Sequence, residues 1–141
     1  MYALIAGCAA PLVDEAVLGA DVPATFTAGG PGAKLGATVA WSGASWVATA
    51  PGAREVWRDG DATDAAAATA GWLDGEVVLV DAEGTARIGD TVLAEVPGAR
   101  AWAIGPPGVA AATEDRIVYG DVAVEVSGVS ALAWGTDRLL A

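Results

Sequence analysis

The residues best suited to chemistry in this chain are carboxylates. Asp59, Asp61 and Asp64 form the densest group, in the string RDGDATD. Oxygen ligands two residues apart could open a calcium loop, but the closing Glu of such a loop is missing, so a solvated turn is the competing reading. The trio is therefore a weak metal candidate, and no cofactor is implied. Asp81-Ala82-Glu83-Gly84 and Glu114-Asp115 read as hairpin turns. No His is present, so neither a Ser-His-Asp nor a Cys-His arrangement can be built. Ser42 and Ser45, in WSGASW, lack the nucleophile elbow. Gly29-Gly30-Pro31-Gly32 precedes Lys34 without the GK[ST] of a phosphate loop. A carboxylate pair could hydrolyse a glycoside without His, yet among 18 acidic residues the spacing selects no pair. The reading is noncatalytic, with a carboxylate-pair hydrolase as the alternative.

Composition narrows the partners. The chain has 141 residues, with 7 Lys plus Arg against 18 Asp plus Glu, for a net charge of −11. That balance argues against nucleic acid and against electrostatic docking on anionic lipid. Hydrophobic residues make up 54% and charged residues 18%, which excludes disorder by low hydrophobicity. Asn and Gln are absent, and Cys8 is the single cysteine, so no intramolecular disulfide can form. The length suits one domain.

The elements that must carry these residues are short strands. Ala is abundant but interrupted by Val, Gly and Pro, so no amphipathic helix survives; Asp61 to Ala70 reads as strand and turn. Gly36 to Asp59 is repeated sixty-two positions later in Gly98 to Asp121, matching Gly36/Gly98, Gly43/Gly105, Val47/Val109, Arg54/Arg116, Val56/Val118 and Asp59/Asp121, with Trp57 opposite Tyr119. Ala67 to Gly89 follows the same order at half that period, giving a unit of about 31 residues. Ser130 to Ala141 supplies the first two strands of a further unit, and Asp14 to Gly29 resembles its last two. The expectation is an all-β chain, a small β-propeller of four short blades whose N- and C-terminal strands share one blade and close the ring. Trp41, Trp102 and Trp134 recur near the ends of first strands. They read either as packing between blades or as an aromatic platform for a sugar or peptide.

Leu35 to Trp57, LGATVAWSGASWVATAPGAREVW, resembles an FG-GAP repeat of integrin-α-type propellers, with Leu35-Gly36 at the start and Ala50-Pro51-Gly52 at the turn. The calcium string of that family is missing. Ile5-Ala6-Gly7-Cys8 resembles a bacterial lipoprotein lipobox, which implies lipidation at Cys8. Together these predict a tether over 1–13 and a propeller over 14–141, with the fourth blade split between 14–29 and 129–141. The implied function is binding or scaffolding at a bacterial envelope, lipid-anchored or secreted, with an unknown protein or carbohydrate partner. Membrane contact would come through the lipid alone, and the chain would be a monomer or a homodimer of half-rings. A fragment of a longer propeller is the further alternative.

Overall fold

The computed structural model describes residues 32–135 and 138–141. Every regular element among them is a β-strand. Sheet one contains β1 (Val39–Trp41), β2 (Trp46–Ala50), β3 (Glu55–Arg58) and β4 (Asp61–Asp64). Sheet two contains β5 (Thr69–Leu73), β6 (Glu76–Val80), β7 (Thr85–Ile88) and β8 (Thr91–Glu95). Sheet three contains β9 (Ala101–Gly105), β10 (Gly108–Ala112), β11 (Arg116–Tyr119) and β12 (Val122–Glu125), and a final hairpin joins β13 (Ala133–Trp134) to β14 (Leu139–Leu140). All pairings are antiparallel, and strand order within each sheet follows the chain. The all-β expectation is met, and Asp61 to Ala70 divides into β4, a connection and the start of β5.

The first strands lie side by side, β1 against β5, β5 against β9, and β9 against β13. Sheet two is consequently covered on both faces. Ala70, Trp72, Val77 and Leu79 pack towards sheet one, with Val47 and Val56. Val78, Val80, Ala86 and Ile88 pack towards sheet three, with Val109 and Ile104. A strand buried on both faces needs no polar alternation, and the run Val77-Val78-Leu79-Val80 in β6 shows none. The outermost strands β4 and β12 are exposed throughout.

The two seams are made differently. Between sheets one and two, the Trp72 indole Nε1 donates to the Ala40 carbonyl at 3.2 Å, and the Ala70 N–H donates to Thr38 Oγ1 at 3.2 Å. Thr38 Oγ1 lies 2.9 Å from Thr49 Oγ1, which also accepts the Thr38 N–H at 3.1 Å. Thr49 has no exposed surface, so this chain is what satisfies its hydroxyl. Arg58 rests over the Trp72 ring, 5.1 Å from its centroid. Between sheets two and three the contact is apolar, and Gly71 permits its closest approach: a Cβ there would stand 2.6 Å from Ile104 Cβ. Sheet three meets the last hairpin through Trp134, whose Nε1 donates to the carbonyls of Ala103 at 3.2 Å and Gly108 at 2.9 Å. Gly105 makes room for that indole, since a Cβ would lie 2.9 Å from its Cδ1. Tyr119 meets Trp134 edge-on, centroids 5.3 Å apart.

The faces turned away from sheet two are apolar as well. Strand alternation puts Val39, Trp41, Trp46 and Trp57 on that side of sheet one. Ile117, Tyr119, Val122 and Val124 share the equivalent side of sheet three. Val39 is 65% exposed and Val122 is 61% exposed.

Candidate functional site

Four neighbouring first strands create a hollow along their shared line. One cleft, about 420 Å³, is lined by β1, β5, β9 and β13, including Ala40, Gly71, Trp102, Leu132 and Trp134. A second, about 410 Å³, adjoins it at Ala40, Ile104, Gly105 and Pro106, and opens among the turns that join first to second strands. Trp41, Ser42, Trp72, Asp74 and Gly75 complete its wall. Two of these turns are short and polar: Ser42 Oγ and the Ser45 N–H are 3.1 Å apart, and Asp74-Gly75 makes a two-residue hairpin turn.

The three candidate tryptophans reach this hollow in different states. Trp102 lines the first cleft but packs against the cluster between sheets two and three. Trp134 lines the same cleft while stapling β13 to sheet three. Trp41, at the end of β1, is 63% exposed and lines the second cleft. The sequence reading overlooked Trp72, which is only 8% exposed and holds the first seam. The signal was available: Trp41, Trp72 and Trp134 stand at whole multiples of a 31-residue spacing, whereas Trp102 is one position off it. One position reverses the face of a strand. That is why Trp102 faces sheet two while Trp134 and Tyr119 lie on the other side of sheet three.

The Asp59, Asp61 and Asp64 trio is spread out. Asp59, in the turn after β3 with φ of 51°, accepts the Trp46 N–H on Oδ1 at 2.9 Å. Asp61 and Asp64 are the two ends of β4, three residues apart and so on opposite faces. Among the described residues no group of three or more His, Cys, Asp or Glu could hold a metal ion. Glu55 and Asp64 are cross-strand partners lining a depression of about 550 Å³, and Glu55 accepts the Trp57 indole N–H at 3.0 Å.

The other carboxylates from the sequence hold turns. Partial burial works against ionisation of Asp81, but the Thr85 N–H at 2.8 Å and the Arg87 guanidinium at 2.7 Å outweigh it and leave its carboxyl below the ordinary value. Asp115 is lowered chiefly by the Thr113 hydroxyl, which donates to it at 2.7 Å. Arg100 pairs with Glu114 at 2.9 Å. Cys8 and the segment 14–29 lie outside the described residues. Compared with known proteins, the chain matches no family model, no curated protein and no solved structure.

Proposed function

We propose that the chain is a noncatalytic binding or scaffolding module, a four-bladed propeller that takes a partner at the end of the ring where the first strands turn into the second. The observation carrying this reading is the lateral packing of β1, β5, β9 and β13, which makes one shared hollow opening among Ser42, Asp74 and Pro106. Ring closure is supported by the apolar outward faces of sheets one and three, which bury their surface if a fourth sheet stands between them. That sheet would consist of β13 and β14 completed by residues 14–29. Trp102 and Trp134 being engaged in packing, the partner surface falls to the turn residues, where Ser42 and Asp74 offer hydrogen-bonding groups to a protein or carbohydrate ligand.

A glycan and peptide binding screen on the full chain, repeated with Ser42→Ala and Asp74→Ala, tests this. Retained ligand that returns unchanged, with weaker capture by the variants, supports the module. Turnover of a bound glycan would favour the carboxylate-pair hydrolase, for which Glu55 and Asp64 are the pair in a shared depression. The lipobox-like Ile5-Ala6-Gly7-Cys8 supports an envelope tether, with the fatty acyl groups carried by Cys8. Fatty-acid labelling that persists in Cys8→Ala would remove the tether from the proposal and leave the module untouched.

A further inference from the structure

Each of two indoles in this fold reaches back from its own sheet to the first strand of the sheet before it. Trp72 in β5 donates to Ala40 in β1, thirty-two residues earlier, and Trp134 in β13 donates to Ala103 in β9, thirty-one residues earlier. Trp41 stands in the same series, thirty-one residues before Trp72 and at the end of β1. In a ring, the sheet before sheet one is the one that holds β13. We infer that Trp41 is the closing staple: its ring packs on β13, and its Nε1–H donates to the main-chain carbonyl of Ala133 or Trp134. The inference rests on the four-bladed reading and adds the contact that would close it.

Three observations meet at this point. Trp41 is 63% exposed although the other indoles of its series are engaged, so its apolar area is free to be buried. Val39, two residues earlier on the same face, is 65% exposed and widens the patch. β1 and β13 already line one cleft from opposite sides, through Val39 and Ala40 on one wall and Leu132, Ala133 and Trp134 on the other. Docking the indole there buries the exposed patch of Trp41 and Val39. A second copy of the chain is the rival occupant. The series of backward-reaching indoles favours the chain's own β13. Trp72 and Trp134 each reach the first strand of the preceding sheet, at offsets of thirty-two and thirty-one residues, and β13 takes that place for Trp41 in a ring.

The test is hydrogen exchange at the indole N–H groups of the full chain labelled with ¹⁵N-tryptophan, beside small-angle scattering and mass in solution. Trp41→Phe assigns the signal and keeps an apolar ring while losing the donor, so it should still fold. The Trp41 indole N–H is expected to exchange on the order of a hundredfold more slowly than a free indole, as those of Trp72 and Trp134 should, and independently of concentration. Fast exchange in a compact monomer would overturn the staple and leave the ring standing. Protection that appears only with dimer mass would overturn it in favour of a second copy. An expanded monomer would remove both the staple and the ring. Trp41→Phe should also speed opening of the β13–β14 hairpin, read as loss of protection at the Trp134 indole.

Discussion

The seam between sheets one and two and the seam between sheets two and three join equivalent strands by opposite means. The first is packed around Trp72 together with Val47, Val56, Val77 and Leu79, and is pinned by the indole-to-carbonyl and amide-to-hydroxyl hydrogen bonds that cross the gap. The second has Gly71 where a side chain would otherwise be, letting Ile104 press onto the backbone of β5. One seam is thus filled by an indole and the other leaves room for its neighbour's side chain. Sheet two carries both solutions, one per face, in the dipeptide Gly71-Trp72. Adjacent residues of a strand point to opposite sides, so two neighbouring positions serve two interfaces.

The largest expected effect breaks the first seam. Trp72→Ala removes the filler and the donor to Ala40 together, and should cost about 3–5 kcal/mol of unfolding free energy in urea. A loss within experimental error would mean the indole does not hold the seam. Gly71→Ala is aimed at the second seam; its Cβ would fall inside the contact distance of Ile104. It should cost about 1–3 kcal/mol. The cost should shrink in an Ile104→Val background, and a double-mutant cycle with no coupling would show that the close approach is not what matters. Thr49→Val keeps the shape of the buried side chain but takes away the oxygen that accepts the Thr38 N–H. About 1–2 kcal/mol should be lost, and exchange protection should fall at Ala70 on the first seam while the second is unchanged.

The smallest effect lies outside both seams and serves as their reference. Asp81 in the turn after β6 has its carboxyl held below its ordinary value, against partial burial, by the Thr85 N–H and Arg87. A depressed folded value means the stabilisation is whole above the unfolded pKa and is lost as pH falls through the folded one. The melting temperature of the native chain should therefore drop more steeply below about pH 4 than that of Asp81→Asn. Parallel curves would assign the acid sensitivity elsewhere.

Much of this architecture is legible in the residues. The turns after β2, β6 and β10 are announced by Pro51-Gly52, Asp81 to Gly84 and Glu114-Asp115, because those residue types close hairpins by local hydrogen bonds. The unit length follows from the Gly, Arg and aromatic matches between sheets one and three, since a similar strand layout needs its turns at similar intervals. The seams were harder to see. Trp72 looked like one apolar residue among several in AGWLDG; its 31-residue step from Trp41 sets it apart, but its bond to Ala40 shows only in the fold. Similarly, Gly71 reads as a weak strand residue until Ile104 is known to occupy its missing side chain. Contacts between sheets depend on pairs about 30 residues apart, and strand periodicity carries no information on those. Asp59, Asp61 and Asp64 show the converse. They are close in sequence, but a turn and a three-residue step along a strand point them apart.

The strictly sequential strand order has a kinetic consequence. Among the described residues every ladder pairs strands that are consecutive in the chain, so each of these hairpins closes only a short loop, and their loop-closure entropy is small. The long-range cost is concentrated in docking one finished sheet on the next, through contacts such as Trp72 on Ala40 and Trp134 on Ala103. Sheets one, two and three can assemble in order as the chain is synthesised, one meander at a time, with low contact order inside each meander. Its slow step is then the association of preformed sheets, and the seam residues, more than the strands themselves, set its rate.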